Sequence, residues 1–197
     1  MAPPPQPPSP YCLVARGHPV HGPFHDREHG FPVQTDAGFL ERLALEINQA
    51  GLSWLVVLRR RESLARAFAG YDLDRVAAFG EADVARLLAD PGVIRHRRKI
   101  EAVIENARRM ADLRERHGSV RAWFDLHHPL PPAAWLKLLR RTFVFVGPEI
   151  VNELLIGTGY LPGAHLPDCP VWPEVVAADP PWLLVAAPSP GPARGGR

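Results

Sequence analysis

Apolar residues along this chain recur mostly at three- and four-residue spacing, the signature of helices with one buried face. Phe39, Leu43, Ile47 and Ala50 form one such stripe, with Asp36 placed to cap it and Gly51 to end it. Ser53 is placed to cap a second helix that carries Trp54, Leu58 and Ala65 to about Phe68, where Gly70 stops it. Asp72 or Asp74 opens a short helix with Val76 and Phe79, and residues 81–88 make another. After the turn Asp90-Pro91-Gly92, the pattern predicts a long helix over residues 95–116, with Ile100, Val103, Ile104, Ala107 and Leu113 on one side. Ser119, Pro132 and Pro148 start three more, proline being suited to a first helical position. Only Thr142-Phe143-Val144-Phe145-Val146 reads as a strand. Roughly seven short helices with brief connections predict an all-α domain.

Composition narrows this to one soluble domain with proline-rich ends. The pattern above occupies residues 11–185, whereas residues 1–10 and 186–197 are rich in Pro, Gly and Arg and bury too little surface to order themselves. No apolar run reaches the roughly 18–20 residues of a membrane span, and the start has neither the basic nor the apolar region of a signal peptide. A cytoplasmic location is therefore expected. The formal charge is only +2, so attraction to nucleic acid must come from where the charges sit. Cys12 and Cys169 are too few for a disulfide scaffold.

Four features carry chemistry. Glu46 projects within about 20° of Phe39 at roughly 100° per residue, which aims a carboxylate at the core side of its helix. It is either a pocket carboxylate awaiting a cationic or hydrogen-bonding ligand, or a structural one that caps a helix or pairs with an arginine. Cys12, His25, His165 and Cys169 form two pairs that suit a closed Cys2His2 zinc site, which would staple the two ends together without activating water. Unliganded histidines, or a disulfide between the cysteines, are the competing readings. The turn at residues 90–92 leads into a helix N-terminus whose amides can take a phosphate. Residues 92–116 hold eight Lys or Arg against four acids, and this +4 exceeds that of the whole chain. This stretch is either a DNA-backbone contact or an ordinary solvated basic face. Finally, Trp54 and Phe24 can stack on a base or simply fill the core.

Taken together, these residues resemble the DNA-3-methyladenine glycosylase I family over about residues 11–169. LEINQAGLSW (residues 45–54) is similar to that family's L-E-x-x-Q-A-G-L-S-W, and VLRRRE (residues 57–62) follows in place of V-L-x-[KR]-R-E. GVIRHRRKI (residues 92–100) looks like G-I-I-R-[HN]-x-x-K-I, and FVFVG (residues 143–147) like F-x-F-V-G. The two-ended Cys/His pattern is present as well.

The resemblance implies a helix-hairpin-helix DNA glycosylase fold, its hairpin at about residues 81–116, with one structural zinc on Cys12, His25, His165 and Cys169. It implies a monofunctional enzyme, without lyase activity, that extrudes and excises alkylated purine, 3-methyladenine above all, from double-stranded DNA. Glu46 would be the catalytic and base-reading carboxylate, with Phe24, Trp54 and His21 around the base. Gly92 and Val93 would offer amides to a phosphate, with Arg95 and Lys99 as charge contacts. A monomer is expected, and no membrane partner. The chain departs from the family at Val14, His21, Phe24 and His29, where tryptophan or tyrosine is usual. Those changes predict a less aromatic pocket and leave the choice of alkylated purine open. A zinc-stapled module that binds DNA or a lesion without cutting it is the alternative.

Overall fold

The computed structural model describes residues 11–185, and both proline-rich tails lie outside the described residues. Among the described residues all regular structure is helical. The order is α1 (Tyr11–Ala15), α2 (His21–Arg27), α3 (Asp36–Gln49), α4 (Trp54–Ala67), α5 (Leu73–Ala77), α6 (Glu81–Ala89) and α7 (Arg97–His117). α8 (Val120–His127), α9 (Pro132–Thr142), α10 (Pro148–Gly157) and α11 (Trp172–Ala177) follow, with 3-10 turns at Ala69–Tyr71 and Pro181–Val185.

Two amphipathic helices organise the core. α3 buries Phe39, Leu40, Leu43, Ala44, Leu45 and Ile47, and α7 buries Ile100, Val103, Ile104, Ala107, Met110 and Leu113. α7 packs against α3, α5, α6 and α8, while α10 lies against α3 and α9. Each large side chain so buried stabilises the fold by about 1.5–3 kcal/mol. Phe124 joins the layers by stacking on Phe39 at 4.9 Å and on Trp135 at 5.7 Å. A separate small cluster of Cys12, Cys169, Val171 and Val175 ties the start of the described chain to its end.

Several elements differ from the sequence pattern, each for a local reason. α3 is capped by Thr35, whose hydroxyl accepts from the Gly38 N–H at 3.1 Å. Asp36 instead caps α8 from a distance, accepting from the Val120 N–H at 2.8 Å. α7 starts at Arg97, leaving Arg95 in the turn. Residues 142–146 form no strand. A single side-chain amide stands in for the missing partner: Asn106 Nδ2 donates to the Val144 carbonyl at 3.1 Å, and its Oδ1 accepts from the Val144 N–H at 2.9 Å. α1 and α2 arise where only loops were expected, and they deliver the first half of the site.

Candidate active site and metal centre

α1, α2, α3, α4 and α10 converge on a cavity of about 90 Å3 lined by Tyr11, Phe24, His29, Glu46, Gln49, Trp54 and Glu153. Glu46 and Gln49 come from adjacent turns of α3, and Glu153 faces them from α10. Trp54, the first residue of α4, donates from Nε1 to the Tyr11 hydroxyl at 3.2 Å and meets Phe24 edge-on at 5.2 Å. The aromatic walls thus hold one another in place. A wider groove of about 560 Å3 opens beside the cavity, bounded by Ala50, Gly51, Leu52 and Gly147–Ile150 and sharing Glu46, Gln49 and Glu153 with it. Leu52 stands on this rim, 40 % exposed.

The electrostatics of the cavity are unusual. Glu46 is half-buried on the cavity wall and no hydrogen bond to its carboxyl is present among the described residues. Burial, and then the nearby Glu153 carboxyl, push it up to about 8, while Arg42 one turn earlier pulls it part of the way back. Glu153 is itself raised by burial, against a hydrogen bond from Asn152 and with the help of Glu149. Behind Phe24 lies a fixed cationic frame. Glu28 accepts from Arg61 at 2.5 and 2.7 Å and from Arg42 at 2.9 Å, and Arg61 also donates to Glu41 at 2.8 Å. Burial works against the charge on Glu28, yet the Arg61 hydrogen bonds and both arginine charges hold it below the ordinary carboxylate range. Arg42 lies 4.7 Å over the Phe24 ring, locking that ring from behind. Glu46 is therefore not the arginine-paired structural carboxylate; Glu28 fills that role.

The sequence-predicted residues divide accordingly. Phe24, Glu46 and Trp54 line the cavity. His21 does not: it packs edge-on against Tyr11 at 5.6 Å, its Nδ1 3.2 Å from the Tyr11 oxygen, so it supports the wall from outside. Val14 is 62 % exposed on α1 and does not line the cavity. His29, one of the departures from the family pattern, lines it as well, whereas Tyr11, Gln49 and Glu153 were not expected to. Glu153 carried the same signal as Glu46, a carboxylate among the apolar residues of its helix, and Tyr11 is the immediate neighbour of a candidate metal ligand.

Cys12, His25, His165 and Cys169 are brought together as expected. All four are buried, and their donor atoms lie within 4.8 Å of one another. Cys12 Sγ is 3.2 Å from His25 Nε2 and 3.6 Å from His165 Nδ1, and Cys169 Sγ is 3.8 and 3.5 Å from the same atoms. The outer ring nitrogens are also engaged: His25 Nδ1 with Asp26 Oδ1 at 2.6 Å, and His165 Nε2 with the His29 carbonyl at 2.7 Å. Both rings are thereby oriented with their free nitrogens inward, as in metal centres. Both cysteines are free thiols, so no disulfide joins the ends. The cluster can hold a metal ion.

α6, the turn of residues 90–96 and α7 form the basic hairpin. Gly92 is needed there, because a Cβ would come within 2.9 Å of Ser63 Cβ on α4. Two of its expected phosphate donors are already used within the turn: the Gly92 N–H donates to Asp90 Oδ1 at 2.7 Å and the Val93 N–H to the Asp90 carbonyl at 3.2 Å. Lys99 is also withdrawn. It is buried, and its ammonium donates to the carbonyls of Asn48 at 2.9 Å and Ala50 at 2.6 Å, closing the C-terminus of α3. Arg95 and His96 remain exposed on the turn, and Arg98 is exposed in the first turn of α7 beside Arg97, which pairs with Glu81 and Glu101.

Comparison with known proteins agrees with this geometry. A family model described as methyladenine glycosylase matches residues 14–132. DNA-3-methyladenine glycosylase 1 of Escherichia coli (strain K12) is 44% identical over 97 residues, 49% of this chain and 52% of that protein, so the alignment spans about half its length. The DNA-3-methyladenine glycosylase of Haemophilus influenzae is 32% identical over 166 residues, 75% of this chain and 89% of that one. Among solved structures, 3-methyladenine DNA glycosylase I from Staphylococcus aureus, studied for its recognition of 3-methyladenine, superposes with a TM-score of 0.74 at 28% identity, covering 82% of this chain and 96% of its own.

Proposed function

The chain belongs to the methyladenine glycosylase family, and from that premise we propose that it hydrolyses the N-glycosidic bond of alkylated purine, most readily 3-methyladenine, in DNA. The observation that carries this reading is Glu46, a carboxyl on an aromatic-walled cavity with no protein hydrogen-bond partner among the described residues. Methylation at N3 makes the base cationic and a good leaving group. Breaking the C1′–N9 bond sends the bonding pair into the base and neutralises it, while water adds to C1′ and releases a proton. The enzyme therefore needs recognition more than a strong nucleophile.

The base is extruded from double-stranded DNA, at a cost of a few kcal/mol, and held where stacking and hydrogen bonds offset that cost. Phe24 and Trp54 supply ring faces and edges. Glu46 accepts from the exocyclic amino group, and its charge is favoured once a cation enters. α6, the turn and α7 serve as a helix-hairpin-helix against the DNA backbone, with Arg95 and Arg98 as charge contacts. The Gly92 and Val93 amides reach a phosphate only if Asp90 releases them.

The Cys2His2 cluster fits one zinc. With Zn–S near 2.3 Å and Zn–N near 2.05 Å, a tetrahedron places S and N about 3.6 Å apart, and the four S···N separations of 3.2–3.8 Å bracket that value. Zinc there supplies folding energy by joining α1 and α2 to the segment before α11, and it leaves no open position for water. The protein acts as a cytoplasmic monomer. Among the described residues no helix is long and apolar enough to cross a membrane.

The test is incubation with dimethyl-sulfate-treated duplex DNA and identification of each released base by chromatography and mass. Release of 3-methyladenine by the wild type and none by Glu46→Gln is expected. A folded, zinc-loaded, DNA-binding protein that releases nothing would make it a lesion-binding module instead.

A further inference from the structure

The Glu46 reading leaves a second carboxyl in the cavity unexplained. Glu153 reaches the same space from α10, and both side chains also border the wider groove through which a base would enter. The groups facing this pair are Tyr11 from α1, His29 from the loop after α2, Arg42 from α3 and Glu149 from α10. α4 contributes only the uncharged Trp54. Arg42, itself engaged by Glu28, acts on Glu46, and Glu153 is held down only by its hydrogen bond from Asn152. His29, 5 % exposed on the same wall, has a buried Nε2 with no partner among the described residues. The cavity therefore carries more unmet hydrogen-bonding capacity than one carboxylate provides.

Resting on the glycosylase reading, we infer that Glu153 is a specificity-determining residue: with Glu46 it forms a proton-sharing pair that presents one donor and one acceptor to the edge of the extruded base. Two carboxyls lining one small cavity resist carrying two charges at once, so the pair retains one proton, because like charges oppose the second ionisation. Adenine presents an amino donor beside a ring-nitrogen acceptor, and this is the complement of one carboxylate and one carboxylic acid. A guanine edge, with adjacent N–H donors, instead needs two acceptors and matches only the fully ionised pair. Upward displacement of both carboxyls by burial and by acidic neighbours agrees with the shared proton.

The experiment compares wild type, Glu153→Gln and Glu153→Ala. Carboxyl carbon NMR of the free protein from pH 5 to 10 follows Glu46, and calorimetry measures binding of free 3-methyladenine. Release from methylated DNA is followed over the same pH range. Glu46 is expected to titrate near pH 8 in wild type and at least one unit lower in both variants. Release by wild type falls tenfold or more above pH 8 as the pair loses its proton, and this alkaline fall flattens in Glu153→Gln. Binding of 3-methyladenine weakens at least tenfold in Glu153→Ala. A Glu46 titration and a pH profile unchanged in both variants overturn the pair. Absence of release by wild type overturns the glycosylase reading instead, and the NMR titration still decides whether the proton is shared.

Discussion

Replacing Glu46 by Gln separates a functional carboxyl from a structural one through the sign of its effect on stability. In an unfolded chain this carboxyl titrates near its ordinary value of about 4.3. In the folded protein, burial followed by Glu153 raises it to about 8. Between those values the folded state binds a proton that the unfolded state has released. Stability is therefore full at acid pH and is lost progressively as pH rises through the folded value. At about 1.4 kcal/mol per unit the ceiling is about 5 kcal/mol. Glu46 is only half-buried and cavity water screens it, so about 2 kcal/mol is expected. Glutamine does not titrate, and Glu46→Gln escapes this penalty. It should match wild type within about 0.5 kcal/mol at pH 5 and exceed it by about 2 kcal/mol at pH 9. For a domain of this size that is about 4–8 °C in Tm. Thermal and urea unfolding at pH 5, 7 and 9 reads the effect, alongside loss of base release. A variant less stable than wild type at all three pH values would mean that the carboxylate holds the fold together, and the functional assignment would fall.

Metal analysis should find about one zinc per chain, and Cys12→Ser should lose it with a large drop in Tm; full stability without metal would refute the staple. Trp54→Phe keeps the ring but removes the bond to Tyr11, worth about 1 kcal/mol. A roughly fivefold fall in base release with Tm nearly unchanged is expected, and equal activity would show that Tyr11 needs no anchor. Lys99→Met should lower stability by about 1.5–3 kcal/mol, because two α3 carbonyls lose a charged donor. It should leave the salt dependence of DNA binding unchanged, whereas Arg95→Ala should reduce that slope by about 1. The reverse result would return Lys99 to the DNA interface.

The sequence by itself determined what depends on neighbours a few residues apart. The stripe of Phe39, Leu43 and Ile47 made α3 legible and pointed Glu46 inward, since helical spacing alone sets which face a side chain joins. Pro132, Pro148 and Ser119 marked helix starts for equally local reasons. The family motifs added the meeting of Cys12 with His165, 153 residues apart, which no local rule contains. Tertiary structure decided the rest, because it depends on which distant groups compete for the same partner. Asn106 satisfied the backbone of Val144 and so removed the need for a strand. Lys99 found the open end of α3 and is buried there, and Asp90 took the Gly92 and Val93 hydrogens that the sequence offered to a phosphate. His21 was displaced from the cavity by Tyr11, whose place there depends on α1 folding onto α2 and α4. The packing of α10 against α3 brought Glu153 beside Glu46, turning one inward carboxylate into a pair.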